Sequence, residues 1–142
     1  KTDEYISDFG MLYNGHVVRN LVGICPTGWH VPSNDEWIAL EVAIADQGFE
    51  DAQAIALKSQ SGWVFSANGQ DAFGFGGRPG GRRSMEGQFD GYYGELGSDG
   101  FWWSSSPYGQ GNKYIWLNHI DSTVFHGSHY LNWGLSIRCL KD

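Results

Sequence analysis

Three of the five histidines, His119, His126 and His129, fall in one polar stretch near the C-terminal end. The same stretch carries Tyr108, Asn112, Tyr114, Asn118, Asp121, Ser122, Phe125, Ser128, Tyr130 and Asn132. Imidazoles, carboxylates, hydroxyls and phenols can ligate metals, move protons or contact a ligand, and spacing decides among these. His126 and His129 are three apart, so an extended segment points them to opposite sides. They make a poor metal pair, and Cys25 and Cys139, each isolated, do not complete a zinc set. Calcium needs several oxygen ligands with more than one carboxylate. Asp71, Asp90, Glu95 and Asp99 lie in a loop-rich middle that could supply them, but no loop motif supports a site, so no metal or cofactor is expected. Ser104-Ser105-Ser106 lacks a nucleophile-elbow context. Gly76-Gly77 and Gly80-Gly81 are not followed by the Lys-Ser/Thr of a phosphate loop. His30, between Trp29 and Val31, reads as a hydrogen-bonded structural residue. No catalytic residue is assigned, and a non-enzyme is expected.

What remains is recognition. Tyrosine gives large contact area at low entropy cost, and Ser and Asn give adaptable hydrogen bonds, a paratope-like mixture. The competing reading is that these aromatics merely cover the core. A rigid frame holds the stretch: an aromatic strand, Phe101-Trp102-Trp103, before it, and a closing strand, Leu135 to Leu140, after it. Rigid elements position adaptable side chains in most binding surfaces. The segment between Tyr108 and Trp133 is therefore expected to be exchangeable as a block.

The earlier chain should supply the scaffold. Lys1 to Asp8 reads as polar and ragged. Phe9 to Tyr13 reads as a first strand ended by the turn pair Asn14-Gly15. Ser33-Asn-Asp-Glu36 is a capping box, and Trp37, Leu40, Ala43 and Ile44 recur at helical spacing. A helix from Asn34 to about Gln47 follows, ended by Gly48. A shorter helix is expected over Glu50–Ser59, with Ala52, Ile55, Ala56 and Leu57 inward. Beyond Gly62 the pattern turns Gly-rich, with Phe73 and Phe75 on an irregular strand crossing the core. Met85 to Phe89 turns, and Tyr92-Tyr93 leads into the aromatic strand. Helices in the first half and strands in the second argue α+β.

Composition agrees. A chain of 142 residues can bury a core as one domain, here 1–142. The 21 glycines suit short strands and structured loops, and most of the seven tryptophans should be core. A net charge of −7 argues against nucleic acid and against anionic membranes. No apolar run reaches membrane-spanning length, and no signal peptide stands at Lys1, so the chain reads as a mature or excised domain. The two cysteines are either buried free thiols or one disulfide; the disulfide is favoured and implies an oxidising compartment.

Several motifs in order resemble one family. Cys25-Pro-Thr-Gly-Trp-His-Val-Pro-Ser33 with Glu36-Trp37, Leu57-Lys58, Gly62-Trp63, Phe75, Pro79-Gly-Gly-Arg82, Phe101-Trp-Trp-Ser-Ser105 and Leu135-Ser-Ile-Arg-Cys-Leu-Lys-Asp142 look like the Fibrobacter succinogenes major paralogous domain. The match runs from about Leu12 to the end. The resemblance implies a C-type-lectin-like fold: two helices on small twisted antiparallel sheets, paired chain ends, and a long loop region carrying the ligand surface. It also implies a secreted or cell-surface protein of Bacteroidetes-type bacteria. Neither sugar-binding calcium motif of C-type lectins is present, since Asn132-Trp133 is followed by Gly134. Formylglycine-generating enzymes share that broader fold but use active cysteines, which Cys139 on its strand does not match.

A narrower resemblance is to the variable proteins of diversity-generating retroelements. Adenine mutagenesis of AAC-type codons cannot yield Lys, Glu, Gln, Met or Trp while the last base stays a pyrimidine. Leu117 to Asn132 contains none of these, and Phe125-His-Gly-Ser-His-Tyr130 is reachable throughout. The sequence thus points to a surface-displayed domain binding a protein or cell-surface ligand through the thirteen residues named at the outset. The alternative is a carbohydrate-binding module stacking exposed aromatics on a glycan.

Overall fold

The computed structural model describes residues 2–20, 23–84 and 95–142. The expected turn at Met85–Phe89, the Tyr92-Tyr93 lead and Asp90 lie outside these residues. The fold is α+β, with short helices and small antiparallel sheets.

Three strands form the central sheet: β3 (Asp99–Tyr108), β4 (Gly111–Asn118) and β5 (Phe125–Tyr130), antiparallel in the order β3-β4-β5. This corrects the expectation of a long loop between the aromatic strand and the closing strand. The stretch carries few aliphatic residues, but Tyr, Trp and Phe suit a pleated surface, so β pairing wins. Its register sets Ile115 between Trp102 and His126, and Tyr114 between Trp103 and Gly127.

Period-two alternation gives β3 and β4 two buried faces. On one, Trp102, Ile115 and Leu117 pack with Trp37, Ile44, Ala54, Ala56, Leu57 and Trp63. On the other, Phe101, Trp103 and Tyr114 pack with Leu135, flanked by Trp116, Trp133 and Ile137. Trp29 is the exception among the tryptophans expected inside, at 45% exposed.

Helix α2 (Asn34–Ile44) covers the first face. Its N-terminus closes as read: the Glu36 amide donates to Ser33 Oγ at 3.2 Å, and the Ser33 amide donates to Glu36 Oε2 at 2.8 Å. A π-helical turn, Ala45–Phe49, ends it where Gly48 takes φ 93°, a left-handed conformation that suits glycine. The second inner helix, α3, is shorter than expected, Gln53–Leu57, and buries Ala54, Ala56 and Leu57. No strand forms at Phe73–Phe75. Backbone amides there bond back to α3 carbonyls instead, Ala72 to Ala56 and Gly77 to Leu57, both at 2.9 Å.

The N-terminus departs from the sequence reading. Thr2–Phe9 is helix α1, and the strand expected from Phe9 shrinks to β1 (Tyr13–Asn14). The partner strand offers only Gly134 and Leu135 to pair with, which limits β1 to two residues. The closing strand splits likewise into β6 (Gly134–Leu135) and β7 (Leu140–Lys141), with Ser136 bridging to Trp102 between them. β7 pairs with β2 (Trp29–His30). Both early strands therefore close on the chain's end.

The Cys25–Cys139 disulfide locks that closure, with Cα atoms 5.8 Å apart and a sequence separation of 114. It fits an extracytoplasmic, oxidising compartment. Among the described residues no helix is long and apolar enough to cross a membrane. Reduction should lower the unfolding free energy by about 5 kcal/mol on the loop-entropy account. Denaturant melts with and without reductant test this; coincident curves would mean the bond does not constrain the chain.

Candidate ligand-binding surface

The β5 strand sits at the sheet edge and alternates cleanly. His126, Ser128 and Tyr130 are exposed, while Phe125, Gly127 and His129 turn toward the second core. His126, Ser128 and Gly127 border a groove of about 420 Å³ whose other walls are Asn34 and Ile38 of α2, with Tyr108 and Lys113. Tyr108 and Tyr130 are 62% and 56% exposed. Ile38 and Val42, one helical turn apart on α2, are exposed beside it. His126 is held in place: Glu41 Oε1 lies 2.7 Å from its Nε2, and Asn34 Oδ1 lies 3.3 Å from its Nδ1. The side chains of Lys113, Ser128 and Tyr108 have no hydrogen-bond partner among the described residues. The groove thus offers an ammonium, a hydroxyl and a phenol beside apolar surface.

Asn112, Tyr114 and Asn118 are corrected as surface residues, because the structure buries them. Asn112 accepts from Arg19 Nε at 2.8 Å and donates to the Ser104 carbonyl at 3.0 Å. Tyr114 meets Phe101 edge-on and stacks on His129. Asn118 Oδ1 accepts the amides of Ile120 and Asp121, and its amide donates to Asp121 Oδ2 at 2.7 Å. Asp121 and Ser122 are likewise committed to the frame. The Asp121 carbonyl accepts from the buried Lys58 ammonium at 3.0 Å, and Ser122 ties to the Asp51 carbonyl and the Ala54 amide. Phe125 lies against Trp116, His119 lies against Phe65, and Asn132 is exposed in the turn after β5.

His129 is the most constrained of the set. Its ring stacks 4.0 Å from Trp133 and 5.0 Å from Tyr114, nearly parallel to both. Its Nε2 accepts from Arg82 Nη1 at 2.8 Å. Arg82 is in turn held by two 2.8 Å bonds to Glu95 and lies over the Phe101 and Trp133 rings. Burial, and then the Arg82 charge, push His129 down to about 4. Gly127 leaves room for this packing, since a Cβ there would meet Tyr114 at 2.5 Å. The segment between Tyr108 and Trp133 is therefore not one exchangeable block.

Of the carboxylates weighed for calcium, the three among the described residues are engaged within the frame. Asp71 accepts the Gly76 amide, Glu95 holds Arg82, and Asp99 accepts from Trp116 Nε1. His30 lies between Asp142 at 2.6 Å and Glu36 at 2.9 Å, tying the chain's end to the α2 cap. The bonds to Asp142 and then Glu36 raise its pKa.

Sequence reasoning missed Lys113, Ile38 and Asn34 in the groove, and Arg82, Glu95 and Trp133 behind it. The four-residue spacing of Ile38 and Val42, off the Trp37–Ile44 face, was the available signal.

Two predictions follow from this division. Asn112→Ala should cost about 1–3 kcal/mol, because it leaves the buried Ser104 carbonyl without that donor and empties a fully buried position, whereas Ser128→Ala should stay within about 0.5 kcal/mol; urea melts compare them. His129 has a folded pKa below the ordinary value of about 6.5. The unfolded chain then binds the extra proton first, so stability falls as pH drops from 6.5 toward 4. The destabilisation caused by His129→Gln should accordingly be larger at pH 7 than at pH 4. An equal effect at both would show that His129 titrates normally.

The Fibrobacter succinogenes major domain model matches residues 1–141. No curated protein and no solved structure matches the chain.

Proposed function

We propose that this chain, which belongs to the Fibrobacter succinogenes major domain family, is a recognition domain of C-type-lectin type. It binds a protein or cell-surface ligand in the groove between α2 and β5. The observation that carries the reading is the alternation of β5: exposed residues on one side, with His126 and Ser128 bordering a pocket, and inward residues packed into the frame. The inward partners fix the strand, and the outward side chains meet the ligand without costing the fold. Display at the cell surface or secretion agrees with the disulfide.

A narrower part of the reading is diversification by a retroelement. His126, Ser128 and Tyr130 are all reachable by adenine mutagenesis and all face out. Inward positions in the same run would tolerate few outcomes, so diversification would act productively on alternate residues.

A second reading, a glycan-binding module, is favoured by the exposed rings of Tyr108 and Tyr130, which could stack on a sugar. Both readings are of a binding protein without catalysis. A protein array and a glycan array probed with the intact, oxidised domain separate them. On whichever ligand is found, the triple change Lys113→Glu, Ser128→Arg, Tyr130→Ala should weaken binding at least tenfold. The melting temperature should move by no more than about 4 °C, the shift that roughly 1 kcal/mol gives a domain of this size. Retained affinity would exclude the groove.

A further inference from the structure

A second pocket lies away from the β5 groove, between the end of α1 and the closing strand. It encloses about 370 Å³, a volume suited to a small ligand. Its polar walls come from Asp8, Arg78, Ser136 and Arg138, and its apolar walls include Ile6 and Met11.

The charges in it are unevenly satisfied. Arg138 donates to the Phe75 carbonyl, lies over the Phe75 ring 4.8 Å from its centroid, and feels the Asp71 charge across Gly76. Its position is fixed and its charge partly answered. Arg78 is different. Its guanidinium is exposed and has neither hydrogen bond nor ion pair among the described residues. The Asp8 carboxylate and Ser136 hydroxyl, on the same walls, are also without partners there. In a chain of net charge −7, two guanidiniums on one pocket also stand out locally.

Guanidinium groups match carboxylates in two-point geometry. A bare anion would answer Arg78 but leave Asp8 facing it with like charge. A ligand bearing hydroxyls as well as a carboxylate answers both: its acid meets Arg78, and its hydroxyls donate to Asp8 and exchange hydrogen bonds with Ser136. We propose that this pocket binds a sugar acid, a hydroxylated ring carrying one carboxylate. The site is independent of the β5 groove.

The test uses the oxidised, intact chain in nitrogen–proton correlation spectra, titrated to millimolar levels with glucuronate, with glucose, and with inorganic phosphate. Glucose carries a hydroxymethyl group where glucuronate carries the carboxylate, and phosphate tests charge alone. The expected result is saturable shifts around Arg78, Ser136 and Arg138 with glucuronate, and none with glucose. Arg78→Gln, at an exposed unpaired position that should leave the fold intact, should weaken that binding about tenfold. Asp8→Asn should weaken it less. Equal shifts with glucose, equal or stronger binding of phosphate, no shifts with glucuronate, or undiminished binding by Arg78→Gln would each overturn the assignment.

Discussion

Burial of both faces of β4 is the constraint on which the rest depends. Ile115 and Leu117 enter the core beneath α2, and Tyr114 enters the core closed by Leu135. A strand packed on both sides has no freedom of register, because a one-residue slip would exchange its two faces. Asn112 strengthens the lock, since its two hydrogen bonds reach Arg19 and Ser104 from a fully buried position. β5 inherits this register by pairing residue for residue from Phe125 to Tyr130. The edge strand therefore presents the same three side chains outward in every molecule.

The two chain ends do the complementary work. β1 and β2 are too short to stand alone, and each pairs with a fragment of the closing strand. The disulfide and the His30 clamp hold that junction at separate points. Trp103 Nε1 also donates to the Tyr13 carbonyl at 2.8 Å, joining the closure to the central sheet. The frame thus stabilises the surface from behind.

Much of this was legible in the residues. The capping box, the Gly48 stop, the two inward helices and the pairing of Cys25 with Cys139 follow from local rules that tertiary context left intact. The polar stretch was harder. Asn112 and Asn118 look like loop or surface residues, and only the sheet register shows them buried and bonded within the frame. His129 reads as a ligand contact from composition; its aromatic stack requires Trp133 and Arg82, the latter 47 residues away. The N-terminal residues looked ragged because their polar composition hides the helix that they form. Strand lengths at the ends were overestimated, because pairing length is set by the partner and not by the strand's own pattern.

For a diversifiable surface this arrangement has a physical consequence. Substitution should be tolerated where Cβ atoms leave the frame and costly at the residues between. The most direct measurement is saturation mutagenesis of positions 111–118 and 125–130, with folding scored by protease resistance of the displayed domain. The account predicts tolerance at 126, 128 and 130 interleaved with intolerance at 127 and 129, and intolerance at 112 and 114. Uniform tolerance across 125–130, or tolerance at 127 and 129 in place of their neighbours, would contradict it.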